Sequence, residues 1–184
     1  MTKRNTGPRL SRRYAFVKRR LLRLPQQPHG VEIDFCPLPD IVPDESGFWL
    51  GLAVEHGTGF IFMTSVLGEP PTAEDAADIL SGAMENSHLK ARCRPETVYL
   101  RDNPSWEALY PWLGQLGVEA AITDDLPHWD ARAEELMLWM KKHWSPVPQE
   151  FRTPIHEELG IFSTLSELSS LTYGFLYFEQ KESK

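Results

Sequence analysis

The chain has 184 residues, of which 41% are hydrophobic and 11% aromatic, as expected for one globular domain with a substantial core. Its apolar runs are far shorter than the roughly 20 residues needed to cross a bilayer, and the first residues lack the apolar segment of a signal peptide. These features exclude disordered and membrane-spanning classes and predict a soluble, cytoplasmic protein with no membrane association.

The formal net charge of −7 is divided unevenly along the chain. Nine of the 19 Lys and Arg residues lie within residues 1–23, which contain no acid, so the remaining residues have a formal charge of −16. This division is typical of a basic tail on an acidic domain. We therefore expect a basic N-terminal arm over residues 1–29, an α/β domain over 30–145, and a C-terminal extension over 146–184 packed on the domain.

The N-terminal arm has an apolar stripe with helical spacing. Its members are Leu10, Tyr14, Val17, Leu21 and Leu24. Basic side chains would cover the other faces, and those expected to bind nucleic acid phosphates are Arg9, Arg12, Arg13, Lys18, Arg19, Arg20 and Arg23. Three other states of the arm remain open at this point: disorder, docking on the acidic domain and, with less support, binding to an anionic membrane.

The first three strands follow the arm. Val31, Ile33 and Phe35 alternate with acidic residues, which predicts a half-buried strand. Residues 48–55 and 60–67 are rich in β-forming residues and are separated by a short connection with two glycines. They therefore predict a β-hairpin.

Helices and strands alternate in the second part of the domain. Thr72 is a favourable N-cap for a helix that ends near residue 86. The elements predicted after it are a strand at 98–100, a helix at 106–116 kinked by Pro111, a strand at 118–122 and a helix at 128–144. Residues 153–178 predict one or two short helices and an aromatic end that is either strand or helix.

The order of predicted elements in the domain is β-β-β-α-β-α-β-α. Three successive strands favour an antiparallel meander, and the strand–helix units that follow favour parallel pairing. This is the order of the RNase H-like fold, so we predict an α/β domain of α+β character with a mixed five-stranded sheet and a helical C-terminal extension. Nucleases, transposases, sugar kinases and inactive modules share this fold, so the order alone indicates no activity.

Short segments between residues 31 and 127 carry a resemblance to a known family. They read VEIDFCPLP at 31–39, PPT at 70–72, RPETV at 94–98, LGV at 116–118 and DLP at 125–127. In these segments the chain resembles, over residues 30–145, an uncharacterised bacterial domain family of unknown function. The resemblance implies the limits of the domain and no particular chemistry.

A nuclease of RNase H-like fold needs three or four carboxylates that hold two divalent metal ions such as Mg²⁺ about 4 Å apart. The candidate catalytic residues are Asp34 in the first strand, Asp102 at the end of the fourth and Asp130 at the start of the last helix. Other acids at comparable positions are Glu55, Glu74, Glu85 and Glu134. The opposing interpretation is structural, since Asp102 is a good N-cap and Asp130 complements a helix dipole.

Other site motifs are missing from the sequence. It contains no phosphate-binding glycine loop and no GxSxG nucleophile motif, and its six histidines lack HxH or HxxxH spacing. No metal site or cofactor is therefore expected outside the nuclease alternative. Cys36 and Cys93 lack CxxC spacing and are expected to be reduced thiols without chemistry.

Six tryptophans are many for a chain of this length, and most are expected to anchor the core. Trp112 and Trp139 fall off the apolar stripes of their helices, so we expect them at the surface. There they would contact a protein partner or a second copy of the chain.

Two functional hypotheses follow from the sequence. The preferred one is a non-catalytic interaction module that associates with nucleic acid through its basic N-terminal arm. The alternative is a divalent-metal-dependent nuclease or phosphoryl-transfer enzyme that uses Asp34, Asp102 and Asp130. The spacing of these carboxylates separates the two hypotheses, because mutual distances beyond about 8 Å leave no two-metal site.

Overall fold

The computed structural model describes residues 9–38, 47–85 and 92–143. In chain order its elements are α1 (Arg13–Leu21), β1 (Gln26–Pro37), β2 (Trp49–His56), β3 (Ile61–Leu67), α2 (Ala73–Glu85), β4 (Arg94–Leu100), a 3₁₀ turn (Pro104–Trp106), α3 (Leu109–Gln115), β5 (Glu119–Ile122) and α4 (Pro127–His143). The predicted order of the domain is confirmed, including the hairpin of β2 and β3. Within these ranges, no helix combines the length and apolarity needed to cross a membrane.

The five strands form one sheet in the order β3-β2-β1-β4-β5. β1 pairs antiparallel with β2, and β2 with β3, whereas β4 runs parallel to both β1 and β5. This mixed sheet confirms the predicted fold class, and its order and strand directions are those of the RNase H-like fold. Because β1 is the central strand, helices can cover both of its faces.

The sheet separates two apolar clusters. Val31, Ile33 and Phe35 of β1 pack in the cluster that α1, α2 and α3 cover. Side chains alternate along a strand, so the intervening Glu32 and Asp34 lie on the opposite side, under α4. We call this second side of the sheet the α4 face.

Side chains cap the starts of α2 and of the 3₁₀ turn. The backbone N–H of Thr72 donates to Asp75 Oδ2 at 2.9 Å, and the N–H of Asp75 donates to Thr72 Oγ1 at 3.4 Å, which confirms the predicted cap. At the 3₁₀ turn the cap is Asn103, whose Oδ1 accepts the N–H of Ser105 at 2.9 Å. The prediction that Asp102 is the N-cap is wrong, because the side-chain oxygen of Asn103, one residue later, accepts the free N–H of Ser105.

Residues 13–21 of the N-terminal arm form α1, which is docked on the domain. Its stripe residues Tyr14 and Leu21 are buried in the first cluster. The Tyr14 hydroxyl donates to Asp78 Oδ1 at 2.8 Å and lies 2.7 Å from the carbonyl oxygen of Glu74 in α2. The central strand then begins at Gln26, upstream of residue 30, where the sequence placed the start of the domain.

Trp112 is only 5% exposed, so the prediction that it lies at the surface is wrong. The ring of Tyr14 meets it edge-on, with 6.1 Å between the ring centroids, because α1 covers this part of α3. Trp139 is half-buried and packs against the cluster under α4. Trp144 and the predicted C-terminal extension at 146–184 lie outside the described residues.

Candidate functional site on the α4 face

Asp34 lies on β1, near the middle of the sheet, and points to the α4 face. Its side chain is 13% exposed, and its Oδ2 accepts a 2.5 Å hydrogen bond from Nη1 of Arg101. Arg101 follows the last residue of β4, which runs parallel to β1 with Glu32 opposite Tyr99. Continuing this register by two residues places Arg101 beside Asp34.

The same guanidinium holds Asp130 in the first turn of α4. Nη2 of Arg101 lies 2.7 Å from both carboxylate oxygens of Asp130. The guanidinium carbon is also 5.6 Å from the ring centroid of Trp129, within cation–π distance. One arginine therefore ties the first helical turn of α4 to the central strand.

The charges at this bridge shift the pKa of neighbouring groups. Burial alone would lower the pKa of Arg101, but hydrogen bonds to Asp130 and Asp34 outweigh it and raise the pKa above its ordinary value. Burial raises the pKa of the Cys36 thiol to about 11, and the negative charges of Asp34 and Asp130 add to the shift. Arg101 thus stays charged and Cys36 stays protonated at neutral pH.

Asp102, the third candidate catalytic residue, makes no hydrogen bond or ion pair with Asp34, Arg101 or Asp130. It is exposed and its charge acts on Tyr110 of α3, whose pKa is raised first by burial and then by Asp102 and Glu107. Tyr110 packs against the first cluster, on the side opposite α4. The structure therefore brings Asp34 and Asp130 together and directs Arg101, instead of Asp102, toward them.

Glu32 is a further acid of the α4 face and is fully buried. Its Oε2 accepts the backbone N–H of Trp129 at 2.6 Å, and its Oε1 lies 2.7 Å from Nδ1 of His56. The His56 ring in turn stacks on Tyr99, with 4.2 Å between centroids.

The other acids considered for a metal site lie elsewhere. Glu55 is buried on the opposite side of the sheet, where it accepts a hydrogen bond from Thr58 and lines a cavity of about 240 Å³. Glu74 and Glu85 face α1, and Glu134 is exposed on α4. Across residues 9–38, 47–85 and 92–143, no three His, Cys, Asp or Glu side chains are grouped to hold a metal ion.

The candidate nucleic-acid-binding residues of the arm fall into two groups. Arg13 pairs with Asp78 at 2.7 Å, Arg20 pairs with Glu85, and Lys18 donates to Gln115 Oε1 at 2.6 Å. The remaining four are exposed to solvent: Arg9, Arg12, Arg19 and Arg23. The first group fastens α1 to the domain, and the second remains available to a ligand.

Sequence reasoning missed Arg101, Glu32 and His56. The alternation along β1 could have indicated Glu32, because it puts Glu32 and Asp34 on the same side of the strand. The roles of Arg101 and His56 depend on the pairing register of β1 with β4 and β2, in which Gly30 lies opposite His56. That register is not visible in the order of elements.

Residues 17–137 match the family model of a domain of unknown function, DUF6930. No curated protein matches the chain in sequence. One similar solved chain comes from the cryo-EM structure of a simian T-cell lymphotropic virus intasome in complex with the PP2A regulatory subunit B56 gamma. It is 14% identical, with a TM-score of 0.50 over 71% of this chain and 48% of that chain.

A second similar structure is the catalytic core domain of BIV integrase. It is 15% identical, with a TM-score of 0.42 over 59% of this chain and 64% of that chain. The present chain thus spans about half the length of the intasome chain and under two thirds of the integrase domain. At 14% identity the likeness to the intasome chain concerns the fold alone.

Proposed function

This chain belongs to the DUF6930 family of domains of unknown function, and we propose that it is a non-catalytic interaction module that associates with nucleic acid through its basic N-terminal arm. One observation supports the proposal that the domain is non-catalytic. Arg101 bridges Asp34 and Asp130 where the α4 face gathers its carboxylates.

A guanidinium between two carboxylates opposes metal binding for two reasons. It occupies the oxygen lone pairs that a divalent cation would need, and it places a positive charge beside the position of that cation. Arginine is not deprotonated at any pH at which proteins work, so raising the pH would not free the two acids. The carboxylate oxygens of Glu32 are likewise occupied, because one is hydrogen-bonded to the His56 ring and the other to the backbone N–H of Trp129.

The nucleic acid part of the proposal rests on charge. The arm concentrates nine cations in residues 1–23 while the rest of the chain is acidic, so phosphates would be attracted to the arm and repelled elsewhere. Binding of this kind depends on counterion release and needs no base-specific contact. The affinity should therefore fall steeply as the salt concentration rises.

The metal-dependent nuclease stays the second candidate, because Asp34 and Asp130 do lie together on this fold. It would require Arg101 to leave the two carboxylates and Asp102 to join them. Mg²⁺ or Mn²⁺ would then be the cofactor, held by these acids.

Calorimetric titration with MnCl₂ and a cleavage assay on plasmid and single-stranded DNA with Mg²⁺ or Mn²⁺ test both candidates. We expect neither binding nor cleavage by the wild-type protein. Arg101→Ala should gain measurable Mn²⁺ binding, since it frees two adjacent carboxylates, and Asp34→Asn in the same chain should abolish that gain.

Arg132→Ala is the matched control, because Arg132 also pairs with an acid of α4, Glu135, away from Asp34. It should leave Mn²⁺ binding undetectable. Cleavage by the wild-type protein that Asp34→Asn removes would overturn the proposal in favour of the nuclease.

A further inference from the structure

α1 has an inner face that packs and an outer face that does not. On the inner face, Tyr14 and Leu21 are buried, while Arg13 and Arg20 pair with acids of α2. These contacts fix the orientation of the helix about its own axis. They therefore determine which residues of α1 point to solvent.

The outer face presents an aromatic ring among three cations. Phe16 and Arg19 lie on α1, Arg12 is its N-cap, and Arg23 lies in the turn that follows its C-cap Leu22. The four residues are four, three and four positions apart, which is helical spacing, and all four are exposed. Phe16 is 70% exposed, and the Arg19 guanidinium carbon lies 5.9 Å from its ring centroid. None of the three arginines pairs with an acid in the part of the chain that the structure describes.

Phe16 contributes little to the stability of the fold, because most of its surface stays in water. A phenyl ring between guanidinium groups has the two features of a single-stranded nucleic acid site, an aromatic platform for a base and cations for the phosphates on either side. In a duplex the base faces are stacked on one another, so only the cations would find partners.

Building on the proposed association with nucleic acid, we propose that the outer face of α1 binds single-stranded nucleic acid. Phe16 stacks on one unpaired base, and Arg12, Arg19 and Arg23 bind the flanking phosphates. The nine residues of α1 span about 14 Å at 1.5 Å per residue, so the site takes only a short stretch of strand.

The choice of nucleic acid over a lipid surface rests on the composition of this face. It carries three guanidinium groups and one large apolar ring, whereas a helix that lies in a membrane interface presents a continuous apolar side. The apolar side of α1 is already used, because Tyr14 and Leu21 face the domain. An acidic protein is the competing occupant, and it would need no free base.

The test uses fluorescence anisotropy of the full chain with three labelled probes: a 15-nucleotide oligothymidylate, an abasic 15-mer with the same phosphates, and a 15-base-pair duplex. We expect wild-type protein to prefer the oligothymidylate to the abasic strand by roughly fivefold to a hundredfold, the range for one base–aromatic stack. Phe16→Ala should lose this preference and Phe16→Trp should keep it. Both variants should have the same Tm as the wild type, since the side chain of Phe16 is exposed.

The arginines are tested on the same probes. Arg19→Ala should weaken binding of both single strands by a similar factor, because it contacts phosphate, and Arg92→Ala serves as the control of an exposed arginine outside the outer face. Equal binding of the thymidylate and abasic strands, with no effect of Phe16→Ala, would overturn the stacking site and leave the proposed association through phosphates intact. No binding of any probe at low salt would contradict that association itself.

Discussion

Arg101 and Asp34 are joined by a 2.5 Å hydrogen bond between the end of β4 and the middle of β1. They meet because the two strands run parallel in a register that places Glu32 opposite Tyr99. The same guanidinium reaches Asp130, so α4 is tied to the sheet at its first turn. Whether Asp34 and Asp130 are available to a ligand therefore depends on Arg101.

Removal of this arginine should destabilise the fold. Arg101→Ala leaves the largely buried Asp34 without its partner, and we expect the free energy of unfolding to fall by about 1–3 kcal/mol, less than for a fully buried ion pair because Asp130 is half exposed. Urea denaturation at pH 7 measures the change. Arg101→Lys should recover part of the loss, since it restores the charge without the two-pronged geometry; equal stability of Arg101→Ala and the wild type would contradict the bridge.

Glu32 should be more sensitive to substitution than its exposed neighbours. Glu32→Ala removes the acceptor of the Trp129 N–H and the hydrogen-bond partner of the His56 ring. We expect the free energy of unfolding to fall by about 2–4 kcal/mol, because a buried donor is left unsatisfied and a small cavity opens. Thermal and urea unfolding give the comparison. Glu134→Ala, an exposed acid on α4, is the control and should change the stability by less than about 0.5 kcal/mol.

Substitutions of Tyr14 should show how much the docking of α1 contributes to the stability of the fold. Tyr14→Phe keeps the buried ring and removes the hydroxyl bonded to Asp78, so we expect a loss of about 1 kcal/mol, whereas Tyr14→Ala should cost about 3–5 kcal/mol. Limited proteolysis then reports whether residues 13–21 are released. Phe16→Ala on the outer face should change neither measurement, and an undiminished stability of Tyr14→Ala would mean that α1 is not part of the core.

The Cys36 thiol should react slowly at ordinary pH. Only the thiolate reacts, and burial together with the charges of Asp34 and Asp130 raises the pKa of Cys36 to about 11. In a Cys93→Ser background, alkylation by iodoacetamide at pH 8 should be roughly a hundredfold slower than for an unperturbed thiol. The rate should keep rising as the pH approaches 11.

Asp130→Asn tests the electrostatic part of this shift. It removes one negative charge beside Cys36, so the pKa should fall and the reaction at pH 8 should become faster. A rate that levels off near pH 9 in the wild type would show that Cys36 is neither buried nor influenced by these acids.

The elements themselves could be predicted because their patterns are local. The alternation at Val31–Phe35, the glycine-rich connection between β2 and β3 and the Thr72 cap each depend on residues a few positions apart. The prediction that Trp112 lies at the surface was wrong because Tyr14, which packs against it, belongs to a helix distant in sequence. Local periodicity contains no information on which helix lies above a given side chain.

The chain by itself determined the order of strands and helices, the RNase H-like fold and the uneven division of charge between residues 1–23 and the rest, since these follow from short-range periodicity and from charge counts. Only the tertiary structure decided which groups the candidate catalytic acids contact. Strand register and side-chain alternation turn Arg101 toward Asp34 and Asp130, whereas the charge of Asp102 acts on Tyr110. A shift of one residue would reverse which side chain faces α4, and the pairing of β1 with β4 sets that register.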